Sequence, residues 1–476
     1  MKRLLRRALL ASLLATACAL VAPGLAPAAG PLQTAVAEHS EFEEPDTELA
    51  LRRIRAAGAT AFRLDLAWYS VAPVQRPDVF RPEDPADPAY RWSAFDEKLR
   101  MLKEAGLEPI VAINYPPQWG KGGASTPVNI EQFALFSEAA ARRYTGAFQN
   151  LPRVRYWQIW IEPNVNKFFR PQFIRGRPAS PAIYRRLVNA SATAIHRVRS
   201  GNIVIAGGLS PFTVRRGETH TIGPLRFMRE MLCMSKGPSP KPTCRERAQF
   251  DIWSHHPYTS GDATHKAFHP DDVSLGDLPE MKQLLRAAQK ARHILAPRPV
   301  RFWVTEFSWD TNPPDPKAVP IRLQSRWVSE ALYRMWQNGI DLVTWLQLRD
   351  GPYPGNDVQS GLWFRGGKSL RSDRAKPTLT AFRFPFVAYE ERSGVRVWGR
   401  TPAGSPGTVA VEQERTRGRW VRLRALRSNR SGIFAGLVVP RSRGSLRARM
   451  LSGAERGTSL PFSLVRPPDR FVLIFG

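Results

Sequence analysis

Between residues 30 and 385, short strand-like runs rich in apolar residues alternate with segments whose apolar positions recur every three or four residues. The runs are Phe62–Leu66, Pro109–Ile113, Tyr156–Ile161, Ile203–Gly207, Phe250–Ser254, Arg301–Thr305 and Leu342–Leu346, with a less regular first one at Gln33–Ala37. They return at intervals of about 45 residues. Runs this short and this rich in apolar residues suit the strands of a parallel sheet. The intervening segments read as helices. Leu49–Ala57 runs into Gly58, Phe95–Ala105 into Gly106, and Val328, Leu332, Met335 and Trp336 share one face of a helix that stops at Gly339. Glycine just past the last turn is the usual left-handed cap. Strand and helix alternating eight times over about 350 residues predict an α/β fold, a (β/α)8 barrel of the TIM type, with loop insertions taking up the excess length. A doubly wound open sheet competes, but no Gly-rich phosphate loop follows an early strand.

The pattern changes at Lys376–Phe386 (KPTLTAFRFPF). Beyond it the helical period gives way to short alternating runs at Val395–Trp398, Thr408–Glu412, Trp420–Leu426, Ile433–Val439, Leu446–Met450 and Phe471–Phe475. Turn residues at Pro402–Gly404, Ser428-Asn429 and Ser452-Gly453 separate them, so residues 386–476 are expected to form a small all-β sandwich, either gripping an acidic glycan or capping the barrel.

The first thirty residues stand apart. Lys2, Arg3, Arg6 and Arg7 precede an apolar run from Ala8 to Val21, and Ala26-Pro27-Ala28 offers small residues for cleavage, which is the three-part pattern of a secretory signal. The run is too short for a comfortable span, and no later stretch is long enough to cross a bilayer. The expected organisation is therefore a signal peptide at 1–30, a barrel at 31–385 and an accessory domain at 386–476. The mature chain is expected to be secreted or extracellular, in association with the cell envelope in one variant, and monomeric.

The formal charge is +29, or +25 without the four signal cations, and 57 Arg against 13 Lys supply it. Such a field attracts acidic polysaccharides, anionic surfaces or nucleic acid, although coding bias accounts for the arginine equally well. Dispersed arginines on an exported chain argue against nucleic acid, leaving a carbohydrate, neutral or anionic, as the expected partner. Cys233 and Cys244 flank a proline-rich loop and are expected to pair in an oxidising compartment, with a model-dependent gain of roughly 2–3 kcal/mol. Without histidines at ligand spacing they would leave a zinc site half empty. No HExxH cluster and no Gly-x-Ser-x-Gly elbow occurs, and neither metal nor cofactor is implied.

Two runs lead into a glutamate: Glu162 follows YWQIWI and Glu306 follows RFWVT. A carboxylate after so apolar a run is costly without partners, and in a parallel barrel the carboxyl ends of strands carry the chemistry. Paired carboxylates on two strand ends are what glycosidic cleavage requires.

On these residues the chain resembles the retaining glycoside hydrolases of clan A, families 39 and 5 above all. Trp160-Ile161-Glu162-Pro163-Asn164 matches the clan's strand-four motif, which implies Glu162 as acid/base, and Val304-Thr305-Glu306-Phe307 matches strand seven, which implies Glu306 as nucleophile. The resemblance further implies that Arg63 keeps the nucleophile ionised, that Tyr258, in His256-Pro257-Tyr258, hydrogen-bonds it, and that Trp345, with Trp119 after strand three, walls the sugar site. One residue departs from the motif. Ile161 stands where the clan has an asparagine that contacts the sugar 2-hydroxyl. Either the substrate lacks that hydroxyl in the usual place, or Asn114 or Asn164 supplies the contact, or catalysis is lost and the chain is a non-catalytic glycan-binding barrel of the envelope.

Overall fold

The structure, a computed structural model, describes residues 30–37, 42, 46–122, 128–216, 219–355, 358–415, 418–468 and 470–472. The signal sequence thus lies outside the described residues, apart from residue 30.

Eight strands form a closed barrel: β1 (Gln33–Ala37), β2 (Ala61–Ala67), β3 (Glu108–Asn114), β4 (Tyr156–Ile159), β5 (Ile203–Leu209), β6 (Ile252–His255), β7 (Arg301–Phe307) and β8 (Ile340–Leu346). Each pairs in parallel with its sequence neighbours, and β8 closes on β1 with Ala35 opposite Thr344. This is the TIM-barrel architecture. The predicted runs all lie within two residues of the observed strands. Two of the end points are informative. The strand β4 stops at Ile159, so Glu162 lies beyond it, whereas β7 continues to Phe307 and contains Glu306.

Helices enclose the barrel, among them α1 (Thr47–Ala56), α2 (Ser93–Glu104), α3 (Ile130–Arg143), α4 (Ser180–Val198), α5 (Pro224–Leu232), α6 (Leu278–Lys290), α7 (Ile321–Gln337) and α8 (Pro377–Arg383). The apolar faces expected from spacing are the buried ones: Ala50, Leu51 and Ile54 on α1, and Trp327, Val328, Ala331, Leu332 and Met335 on α7. At the end of α1, Gly58 takes φ +86°, and Ala59 N–H donates back to Ile54 O at 3.3 Å. A side chain here would be strained, so the predicted cap has its cause in the left-handed turn that directs the chain into β2. No described helix is long and apolar enough to cross a membrane.

After α8 come six antiparallel strands in two three-stranded sheets. One contains β9 (Phe386–Glu391), β10 (Gly394–Arg400) and β13 (Ile433–Val438), and the other has β12 (Arg419–Arg427), β11 (Gly407–Arg415) and β14 (Leu446–Gly453) in that order. The strand β9 is additional to the predicted set; its first residues belong to the Phe-rich transition. The predicted strand at Phe471–Phe475 is not one at 471–472, and its remainder lies outside the described residues. These sheets attach to the amino-terminal end of the barrel. Buried Arg400 reaches Thr34 Oγ1 at 3.3 Å and Gly58 O at 3.2 Å, and Trp398 packs on Tyr333 and Trp336 of α7. The segment after these sheets reaches the loop that follows β6, where Val472 N–H donates to Ser260 O at 2.8 Å and Arg466 lies 3.1 Å from Asp262. Cys233 and Cys244 are disulfide-bonded, with Cα atoms 5.3 Å apart.

Candidate active site

Side chains inside the barrel form layers. Ala35, Ala61, Ile110, Ile203, Ile205, Ile252, Trp303 and Leu342, with Tyr156, make an apolar cluster. Successive side chains on a strand alternate faces, so residues two further on point into the same interior. Those residues are polar on five of the eight strands: Arg63, Gln158, Ser254, Thr305 and Thr344, all buried, with Asn114 another step along β3. An apolar floor under a polar layer at the carboxyl ends places hydrogen-bonding groups where water is scarce, which strengthens each contact. It also makes unpaired atoms costly.

The backbone is bent to suit this layer. Tyr115, Trp160 and Glu162 have φ of +45°, +68° and +40°. Glu162 also precedes a proline, which disfavours helical conformations for it. Left-handed conformations cost such residues roughly 1–2 kcal/mol each and persist where surrounding contacts over-determine them. For Glu162, the hold is its N–H bond to Gly208 O at 3.0 Å. Gly207 and Gly208 make room at this point. A Cβ on Gly207 would lie 2.2 Å from Ser254 O, and one on Gly208 2.9 Å from Gln158 Nε2 and 3.4 Å from His256 Nε2.

The two glutamates meet across one imidazole. His256 Nδ1 is 3.0 Å from Glu162 Oε1 and 4.0 Å from Glu306 Oε2, so the two oxygens lie no more than the sum of these distances, about 7 Å, apart. His256 Nε2 is 3.2 Å from Thr305 Oγ1. Both carboxylates retain access from the mouth, with side chains 14% and 17% exposed. Tyr258 donates its hydroxyl hydrogen bond to Glu306 Oε1 at 2.7 Å. Arg63 spreads over three partners: Nη1 at 3.7 Å from Glu306 Oε2, Nη2 at 3.7 Å from Asp65 Oδ1, and Nε donating to Gln158 Oε1 at 3.1 Å. Gln158 passes the hydrogen bond on, from its Nε2 to Trp160 O at 3.0 Å.

The environments of the two acids differ. Burial raises the Glu162 carboxyl above its ordinary value, and the negative charge of Glu306 adds to this, against the lowering influence of His256 and Arg63. Burial and the Glu306 charge hold the Tyr258 phenol well above its ordinary value, so it remains a donor. The arrangement pairs a carboxyl whose protonated form burial favours with a second one that accepts from Tyr258. It can give a proton on one side of a bound bond and attack from the other.

Not every expected residue joins them. Trp345 was expected to wall a sugar site and does not: Thr344 takes the interior direction, so Trp345 points outward, fully buried, with its indole N–H on Ser360 O at 2.9 Å and its ring against Phe307 and Phe382. Trp119 is half-buried against Trp68 and Phe80 and donates to Pro73 O at 2.8 Å, apart from the carboxylates. Asn164 cannot substitute for the missing asparagine, because its amide is spent on Ser210 N–H, Ser210 O and Ile222 O. Asn114 remains. It is buried, and neither atom of its amide has a hydrogen-bond partner among the described residues.

Gln158, Thr305, Asp65 and Tyr115 were not foreseen as site residues. Alternation along β4 and β7 contained the signal for the first two, since each lies two residues above an interior aromatic. Tyr115 had none. Its phenol, pushed up to about 12 by burial and by the charge of Asp65, also feels Glu162 and Glu306, and it owes that position to the turn at +45°.

No protein-family model matches this chain, and no curated protein matches it. Solved structures similar in fold include a glucosidase from Croceicoccus marinus, 12% identical over 87% of this chain and 96% of that one, with a TM-score of 0.46. They also include the cellulose synthase subunit Z of Clostridioides difficile, at 11% identity, 74% and 98% coverage and a TM-score of 0.44. A family 1 beta-glucosidase from Thermotoga maritima is 12% identical over 74% and 96%, with a TM-score of 0.45. At such identities the likeness is one of fold.

Proposed function

We propose that this protein is an exported glycoside hydrolase that cleaves O-glycosidic bonds of a polysaccharide or glycoconjugate with retention of anomeric configuration. The observation that carries the reading is the contact of His256 Nδ1 with both Glu162 and Glu306, which brings the carboxylates to within about 7 Å. Retaining enzymes hold them about 5–5.5 Å apart and inverting ones about 6.5–9.5 Å, so the bound favours retention.

In the first step Glu306 attacks the anomeric carbon while the bond to the leaving oxygen breaks and Glu162 delivers its proton there. Tyr258 and Arg63 orient Glu306, and burial favours the protonated form of Glu162. In the second step Glu162, now a base, takes a proton from water, whose oxygen displaces Glu306 from the anomeric carbon. The chain has isoleucine beside the acid, and the amide of Asn114, unpaired among the described residues, is an interior group that can bind a sugar hydroxyl.

Export is supported by the signal-like first thirty residues and by the Cys233–Cys244 bond, which suits an oxidising compartment. Residues 386–476 are read as an accessory β-sandwich domain.

The test is turnover of a panel of aryl glycosides and polysaccharides by the wild type and Glu306→Gln, with NMR of the first-formed anomer. Turnover with retention, lost in Glu306→Gln, is expected. An inverted product would remove the nucleophile role of Glu306, and glycan binding without turnover in either protein would leave a non-catalytic barrel.

A further inference from the structure

The outer sheet of the C-terminal region has two unlike faces. In its pairing, Glu412 of β11 lies opposite Arg422 of β12 and Arg447 of β14, Ala410 opposite Ala425 and Arg449, Thr408 opposite Arg427, and Glu414 opposite Trp420. Residues directly opposite share a face. One face therefore presents Arg422, Arg427, Arg447 and Arg449 with Trp420, while Val409, Val411, Leu426, Ala448 and Met450 are buried on the other.

The charges on the exposed face do not cancel. Glu412 is held by Arg447 at 2.9 Å and Arg449 at 2.7 Å, and the Arg447 guanidinium stands 4.1 Å over the Trp420 ring. Arg422 and Arg427 are exposed and have no acidic partner among the described residues. Along β12 they stand about 17 Å apart at the rise of a strand, whereas Arg419 and Arg424, opposite Arg415 and Val411, belong to the other face. The region from 387 onward contains 17 Arg and no Lys. An arginine fork matches a carboxylate with two parallel hydrogen bonds, which an ammonium cannot do.

We infer that this face docks a linear, carboxylate-bearing polysaccharide, independently of the chemistry in the barrel. A flat sheet with repeated guanidinium forks fits a chain that repeats carboxylates. A single-stranded nucleic acid would need open aromatic platforms for its bases, and Trp420 is covered by Arg447. A membrane surface would need apolar side chains inserted beside the cations, and this face has none that protrudes.

The test is binding of the intact protein, wild type and Glu306→Gln, to polygalacturonate and alginate, with dextran, duplex DNA and anionic lipid vesicles as comparisons. Polyuronate binding at low salt, equal in the two proteins and weakening as salt screens the charges, is expected. Arg422→Gln/Arg427→Gln should weaken it about tenfold with unchanged melting, whereas Arg286→Gln/Arg298→Gln, two exposed arginines of the barrel, should not. The inference is overturned by no polyuronate binding, by equal binding of dextran, by tighter binding of DNA or vesicles, or by the same loss in both double variants. Because Glu306→Gln is included, failure here is separate from failure of the hydrolase reading.

Discussion

His256 Nδ1 lies 3.0 Å from Glu162 Oε1, and this contact, from the end of β6 to the turn after β4, places the imidazole against the candidate acid rather than in a satisfied loop. Its effect opposes burial. The barrel mouth raises the Glu162 carboxyl by desolvation, and the histidine lowers it by hydrogen bond and charge.

Activity that needs protonated Glu162 is lost as pH rises through its pKa, which burial has raised, so the basic limb of kcat/KM should lie above the ordinary glutamate range. His256→Ala removes a lowering influence and should move that limb to higher pH while reducing kcat. His256→Asn, whose amide nitrogen can stand near the position of Nδ1, should move it partly back. A pH–rate series on the three proteins checks this; a basic limb that stays put in His256→Ala would remove the role given to the histidine.

Tyr258→Phe deletes the donor to Glu306 while the ring remains packed by Phe307. A hydrogen bond to a charged group is worth about 1.5–3 kcal/mol, so kcat/KM should fall roughly 10- to 100-fold with the melting temperature nearly unchanged. Steady-state kinetics beside a thermal melt separate this from general destabilisation.

Gly208→Ala tests the space under the site. The residue has φ +58°, and the new methyl would press on Gln158 Nε2 at 2.9 Å. Left-handed strain of about 1 kcal/mol and displacement of the Arg63–Gln158 link should lower kcat more than stability. An unchanged kcat would show that Gln158 has room to move.

Lys376→Met tests the loop after β8. The buried Lys376 ammonium donates to Asp350 Oδ1 at 2.6 Å, Thr311 Oγ1 at 2.7 Å and Gln359 O at 3.0 Å. Its removal leaves Asp350 buried and unpaired by a cation, a loss of about 3–5 kcal/mol measurable by urea unfolding. Burial already pushes Asp350 up to about 6, so the folded state binds its proton more tightly than the unfolded chain does, and stability falls as pH rises from the ordinary aspartate range to about 6. Without Lys376 that value rises further, and the variant's deficit should grow as the pH is taken above 6.

The barrel was legible because its signals are local. Apolar runs, helical spacing and glycine caps depend on neighbours within a few residues, and they located all eight barrel strands, the helix ends at Gly58, Gly106 and Gly339, and both glutamates. Along β4 and β7 even the polar layer was within reach, since Gln158 and Thr305 follow from alternation.

What the sequence alone could not decide was which side chains use up one another's hydrogen bonds. Asn164 looked available beside the acid, but folding brings Ser210 and Ile222 to its amide; Trp345 looked like a sugar wall, but its parity turns it toward Phe382. The contact of His256 with Glu162 spans 94 residues, and the four Arg side chains of the outer face come from strands that only pairing aligns. Local sequence determines the direction of each strand and its buried period. Closure of the barrel and the left-handed turns at Tyr115, Trp160 and Glu162 determine which polar groups meet, because only there does burial leave each group the partners it finds in space.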